Sequence, residues 1–183
     1  GKEWKAPAKV KALAISPDGK HLTSGGEDAN ITLWEITTGK KLPLPFEKHK
    51  DSISEGGLAF HPIKPWLARA SYDNTVRVWD TTTGKLLYTL PHTDDVANVT
   101  FSPDGQQLAA SSDQNVWLWN LGGETPLPSL LQGHKNRVFG AHFITQNGQH
   151  HLVSASQDRT LRLWDTDSGT TLRVLQGHTA GVT

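Results

Sequence analysis

The chain has 183 residues, and its 18 Lys and Arg balance 18 Asp and Glu. Zero net charge argues against a general nucleic-acid binder, which carries a basic excess, and the absence of cysteine excludes disulfides and thiolate metal sites. The length suits one domain, with no signal peptide and no apolar stretch near the ~20 residues that span a bilayer.

In chain order, the first unit opens with the apolar run VKALAI (10–15) and turns at SPDG (16–19). There Pro presets φ and Gly permits a tight reversal. A short strand starts at Leu22, and EDANITLWE (27–35) follows, with Ile31 and Leu33 on one face and Trp34 on the other. TTG (37–39) then turns the chain. The second unit repeats the plan with GGLAF (56–60), Leu67, YDNTVRVWD (72–80), TTG (82–84) and KLLYTL (85–90). It has two extra residues within KDSISEGG, which predicts a bulge or longer loop, and HPIK replaces SPDG. The third unit runs VANVTF (96–101), SPDG (102–105), Leu108 and SDQNVWLWN (112–120), one residue short between Leu108 and Asp113. The fourth has VFGAHF (138–143), the longer turn ITQNGQHH, Leu152, QDRTLRLWD (157–165) and DSG (167–169). Four short antiparallel strands per ~43 residues, joined by tight turns, describe one propeller blade.

Four spacings tie the units together. Asp28, Asp73, Asp113 and Asp158 each precede a tryptophan, Trp34, Trp79, Trp119 and Trp164, by six positions. Those tryptophans lie 45, 40 and 45 residues apart, and His49, His92, His134 and His178 recur on the same period. On these residues the sequence resembles the WD-repeat (WD40) β-propeller family over roughly residues 9 to 183. The WD dipeptide is literal at 79–80 and 164–165 and softened to WE and WN at 34–35 and 119–120; GH is literal at 133–134 and 177–178. The repeat period itself is a known signature of that family.

The resemblance implies an all-β fold of four four-stranded blades, at about 9–47, 48–91, 92–133 and 134–177, with 178–183 opening a fifth repeat. It also implies a buried hydrogen-bonded tetrad of Asp, His, Ser or Thr, and Trp in each blade. An Asp in the turn accepts from an imidazole, the imidazole bonds a hydroxyl, and the hydroxyl receives the indole N–H, so every buried polar atom is paired. A histidine is expected to serve the blade that begins after it: His49 with Asp73, His92 with Asp113, and His134 with Asp158. Blade one then lacks its histidine, because Ala6 holds that place, and His178 awaits a fifth blade. For the hydroxyl, two registers compete. Two residues before the Asp stand Gly26, Ser71, Ser111 and Ser156; four before stand Ser24, Arg69, Ala109 and Ser154. The nearer register supplies three serines and is favoured.

Ser, His and Asp are also the ingredients of a hydrolase triad, but a triad is recognised by geometry and occurs once per site. A set repeated about four times at fixed spacing reads as structure, so no catalytic residue, metal or cofactor is expected. GxGxxG, P-loop and HExxH motifs are absent. His142, His150 and His151 flank one turn and suggest a solvated hairpin more than a metal site, since adjacent strand residues point oppositely. Trp4, Trp66 and Trp117 lie outside the repeated positions. Trp117 is expected to be half-exposed, which makes it a recognition candidate, with packing between blade edges as the alternative.

Residues that vary between copies while the scaffold repeats are expected to face water and to contact partners. They are Glu27, Tyr72 and Gln157 before the turn aspartates, and Asp51, Asp95 and Arg137 after the histidines. Tyr72 and Arg137 lead, because aromatic and Arg side chains dominate interface energy. The expected function is a non-enzymatic protein–protein interaction scaffold. Two alternatives stand beside it: a sensor segment of a larger effector with its kinase or protease elsewhere, and an enzyme sited in the central channel. The partner is a protein or peptide, without nucleic acid or membrane, and the expected location is the cytoplasm. Propellers of this family close with six to eight blades. Three readings therefore stay open: a piece of a longer chain, as the absence of Met at position 1 suggests, self-association of two chains into a ring, or an open arc.

Overall fold

The computed structural model describes residues 9–182. Trp4 and Ala6 lie outside them. Every regular element among these residues is a strand. The first sheet comprises β1 (Val10–Ile15), β2 (His21–Gly26), β3 (Ile31–Glu35) and β4 (Lys40–Leu42). The second holds β5 (Ile53–Phe60), β6 (Trp66–Ser71), β7 (Thr75–Asp80) and β8 (Leu86–Pro91). The third holds β9 (Val96–Phe101), β10 (Gln107–Ser112), β11 (Asn115–Asn120) and β12 (Leu127–Leu131). The fourth holds β13 (Val138–Gln146), β14 (Gln149–Ser156), β15 (Leu161–Asp165) and β16 (Thr171–Leu175). Each is a four-stranded meander in sequence order with antiparallel neighbours.

Alternation along the strands builds the core between sheets. On the second sheet, Ala68, Ala70, Val76, Val78 and Leu90 face the third, where Val99, Phe101, Leu108 and Trp119 meet them. On the third, Ala109, Val116, Leu118 and Leu131 face Val138, Ala141, Leu152 and Trp164 of the fourth. Trp119 and Trp164 thus look back toward the preceding sheet, while Val116 and Leu118 look forward. The inner strands are also stitched by polar atoms. Asn98 Nδ2 donates to Gly56 O at 3.3 Å, and Ala141 N donates to Asn98 Oδ1 at 3.2 Å, so one side chain on β9 ties β5 to β13.

The turns follow the chemistry of their residues. In both SPDG turns the Asp accepts from the Ser hydroxyl at 2.6 Å and from a backbone N–H two residues on at 3.0 Å, while Gly19 and Gly105 take φ of +69° and +72°. The Asp of each literal WD pair caps the next turn: Asp80 Oδ1 accepts from Thr82 N and Thr83 N, and Asp165 Oδ1 from Asp167 N and Ser168 N. The second unit's extra residues fall at a break in the β5–β6 register between Ile53 and Leu58, beside Gly56 at φ +78°. The fourth unit's extra residues extend β13 and β14 into a hairpin that turns at Asn147 and Gly148.

Candidate functional site

The polar sets come together differently in each sheet, and the fourth is complete. His134 Nδ1 lies 2.9 Å from Asp158 Oδ2, His134 Nε2 lies 2.7 Å from Ser154 Oγ, and Trp164 Nε1 donates to Ser154 Oγ at 2.8 Å. One proton arrangement satisfies all three: indole N–H to hydroxyl, hydroxyl to Nε2, and Nδ1–H to carboxylate. That requires a neutral imidazole. Burial is the first cause holding His134 below its usual pKa, against the pull of Asp158. Burial works to raise Asp158, but bonds from Thr160 Oγ1, Lys135 N and His134 outweigh it and hold the carboxyl well below the usual range.

The bridging hydroxyl is therefore Ser154, from the farther of the two registers, and in the first sheet it is Ser24, which accepts from Trp34 Nε1 at 3.0 Å. The expectation for Ser71, Ser111 and Ser156 is corrected. Ser156 Oγ donates to Asn136 O at 2.8 Å and accepts from Asp158 N at 3.0 Å, and Ser71 makes the matching bonds to Ser52 O and Asp73 N. These serines tie one loop to another beside the turn. They stand two residues further along the strand, on the same face but past the last paired residues Ala155–Leu161 and Ala70–Val76, and so bond the turn and the neighbouring loop in place of the indole. Ser111 is buried with its hydroxyl unpartnered.

In the second sheet, His49 Nδ1 lies 2.9 Å from Asp73 Oδ2, with Thr75 Oγ1 at 3.2 Å. The place of Ser154, opposite Arg162, is here taken by Arg69, opposite Arg77. A methylene stands where the hydroxyl would be, so His49 Nε2 and Trp79 Nε1 are buried without partners. Arg69 is fully buried and reaches across to the first sheet, donating from Nη1 to Ala29 O at 2.8 Å. Burial lowers the Arg69 guanidinium to about 9. Burial first, and then Arg69, lowers His49 to about 4.

In the third sheet the expected His92–Asp113 pair does not form, which corrects the sequence reading. With one residue fewer, Ser112 pairs with Asn115 and only Asp113 and Gln114 are left to turn the hairpin. Asp113 takes φ +50° and faces solvent. The same deletion puts Ala110, opposite Trp117, in the bridging place, so there is no hydroxyl. Trp119 Nε1 instead donates directly to His92 Nε2 at 3.3 Å, and His92 Nδ1 bonds Leu90 O at 3.0 Å. Burial lowers His92 to about 4. In the first sheet Asp28 bonds Asn30 within its own turn, and at the far end of the chain His178 is exposed.

The recognition candidates, apart from Trp117 in the middle of β11, cluster on the edge that carries these turns. Glu27 pairs with Lys9 and Lys11 at 3.8 and 4.0 Å, and Lys11 Nζ also sits 5.7 Å from the Tyr72 ring. Arg137 pairs with Asp95 at 3.5 Å and lies over Phe139. Asp51 is exposed and accepts from Ser52 N, and Gln157 is exposed. Trp117 is half-buried, stacked on Trp119 at 6.1 Å and edge-on to His92 at 5.2 Å.

Sequence reasoning missed His61. Its Nδ1 accepts from Ile63 N and Lys64 N, which leaves Nε2–H to donate to Gly105 O at 3.1 Å in the next sheet. The signal was present: histidine stands where both SPDG turns have their serine. Among the described residues no group of three His, Asp or Glu could hold a metal ion.

Successive four-stranded meanders that pack Trp against an apolar forward face, with paired His, Asp and Trp between them, define a segment of a β-propeller. The profile of the WD domain, G-beta repeat family matches residues 2–35, 40–80, 84–120 and 125–165. The chain belongs to that WD40 family. It is 40% identical over 201 residues to nuclear distribution protein PAC1 of Arthroderma benhamiae, covering 99% of this chain and 43% of that protein. It is 31% identical over 189 residues to nuclear distribution protein nudF of Aspergillus niger, covering 97% and 42%. It is 27% identical over 183 residues to the transcriptional corepressor LEUNIG_HOMOLOG of Arabidopsis thaliana, covering 97% and 22%. The chain spans less than half the length of these relatives.

Proposed function

We propose that the chain is a non-enzymatic protein-interaction platform that presents rigid loops to a protein or peptide partner, with no cofactor. The observation that carries this reading is the complete set in the fourth sheet. There Ser154, His134 and Asp158 spend their hydrogen bonds on one another and on the buried Trp164 indole. Ser154 is fully buried and His134 nearly so, which leaves this set no nucleophile facing a substrate. The varying residues lie on loops, where a scaffold carries recognition. Tyr72, Arg137, Gln157, Glu27, Asp51, Asp95 and Trp117 are the proposed contact residues. The relatives' printed roles, nuclear distribution and corepression, suit a protein that works by binding.

On this reading the chain is one partial propeller with blades at about 9–47, 48–91, 92–133 and 134–177, and it works in the cytoplasm. Among the described residues no helix is long and apolar enough to cross a membrane. Self-association is favoured by one observation: Leu13 and Ile15 on the outer face of blade one, and Leu175 on that of blade four, are 61%, 62% and 48% exposed. The test is capture of partners by the tagged 183-residue chain beside its Tyr72→Ala and Arg137→Ala variants. Loss of the same captured proteins by both variants is expected. Equal recovery by all three would remove these residues from the reading.

A further inference from the structure

The edge opposite the recognition candidates carries two clefts that are the same cleft in different chemistry. Between blades one and two, a cleft of about 520 Å³ opens among the SPDG turn, the HPIKP loop and the turn after β7. Between blades three and four, adjoining clefts of about 340 and 350 Å³ share Gln107, Asn120, Thr166 and Asp167 and form one groove. Their walls correspond residue by residue. Thr81 Oγ1 donates to Pro65 O at 3.0 Å in the first, and Thr166 Oγ1 to His150 O at 3.0 Å in the second. Leu33 and Leu118 hold the same place on the two floors. The intervening seam is filled by His61, whose ring lies 5.0 Å from Phe101 and caps Gly105 O.

Each cleft is shaped by a place where the chain breaks its own repeat, HPIK in one and ITQNGQHH in the other. HPIK puts Ile63, 75% exposed and the most exposed large apolar side chain described, where the SPDG turns have an aspartate. Pro17, Pro62 and Pro65 make that cleft apolar and stiff, and its one lysine, Lys64, is drawn 4.1 Å from the Trp66 ring. The ITQNGQHH hairpin walls the other groove with Gln149 and His150. That groove is lined by two carboxylates, Asp104 and Asp167, with neutral amides and no Lys or Arg; His150 Nε2 lies 3.8 Å from Asp104 Oδ2, and Leu127 stands 69% exposed at the outer end. The Asp104 carboxyl is held below its usual range: burial acts against this, and the bonds from Ser102 Oγ and Gln106 N prevail. It is therefore charged at neutral pH.

We propose that this edge is a two-point docking face for one extended segment of a partner protein. The segment places an apolar side chain in the Ile63 cleft and a Lys or Arg, its aliphatic stem along Leu127, in the Asp104–Asp167 groove. This deepens the interaction reading above and rests on it. The rigid, internally bonded walls keep the cost of ordering low on binding. A pair of carboxylates with no Lys or Arg beside it, met only by the His150 imidazole at 3.8 Å from Asp104, selects for a cation and against an acidic segment.

The probe is a phage-displayed library of random peptides of about 16 residues, which reach roughly 50 Å when extended. It is panned on the immobilised 183-residue chain. Recovered peptides are expected to combine an apolar residue with Lys or Arg. They should bind at least about tenfold more weakly to Ile63→Asp, and also to the Asp104→Asn/Asp167→Asn double variant, as for a loss of an interface anchor. Asn keeps the acceptor that the 102–106 turn needs, and melting curves of both variants check the fold. Binding to Tyr72→Ala should be unchanged. Peptides that weaken only with Tyr72→Ala would overturn this face while leaving the interaction reading standing. Recovery of no peptide, or of peptides indifferent to every variant, would overturn it outright.

Discussion

Ser154 and Arg69 occupy the same place in their sheets, yet they leave their neighbours in opposite condition. Ser154 gives His134 and Trp164 a shared partner, whereas Arg69 leaves His49 Nε2 and Trp79 Nε1 bare and uses its own Nη1 on Ala29 O of the preceding blade. A buried donor without a partner costs ~1–3 kcal/mol, so blade two exchanges its internal chain for a clasp to blade one. The Arg69 charge also presses on the imidazole. Arg69→Met keeps the volume and removes the charge, so the His49 pKa, observed by NMR, is expected to rise from about 4 while staying below its ordinary value. An unmoved titration would show that burial alone sets it. The sequence carried the aspartates, histidines and tryptophans in plain view, and two of the three expected His–Asp partners meet. It did not reveal the hydroxyl register, because the two registers lie two residues apart on one face of the same strand, and only the cross-strand register tells which comes level with the indole.

Hairpin length decides what each turn aspartate can do. The β6–β7 and β14–β15 hairpins leave five residues beyond Ala70–Val76 and Ala155–Leu161, and there the Asp folds back onto the histidine. The β10–β11 hairpin leaves only four beyond Ser111–Val116, and its Asp is thrown outward. The missing residue was legible in the sequence. Its consequence was not, since an ungapped alignment still places Asp113 six before Trp119 and hides the altered turn. Replacing residues 112–115 with the five-residue loop of blade four, Ser-Gln-Asp-Arg-Thr, should let the new aspartate reach His92. The expected outcome is an upward shift of the His92 pKa from about 4, because a nearby carboxylate favours the imidazolium. A His92 titration equal to that of the parent would mean that turn length is not what separates the pair.

Across the whole molecule, repetition made the fold readable. Four units at one period announced four meanders, and the alternation within them announced which face each Trp would take. The HPIK and ITQNGQHH departures from the repeat were visible too, but the clefts they wall belong to pairs of blades and appear in no single unit. The buried histidines act as neutral members of structural hydrogen-bond sets, which binds the chain's stability to their protonation. His49 and His92 are held at about 4 when folded and return to about 6.5 when unfolded. A depressed imidazole makes the unfolded chain take up more protons, so stability is full above about 6.5 and is lost as pH falls toward 4. The carboxylates Asp73 and Asp158, held low in the folded chain, contribute their loss only below that window. The most direct measurement is the urea-unfolding free energy of the chain at pH 7 and at pH 5, at constant ionic strength. A loss of roughly 2 kcal/mol is expected for each of the two imidazoles; equal stability at the two pH values would show that the folded chain does not hold them neutral.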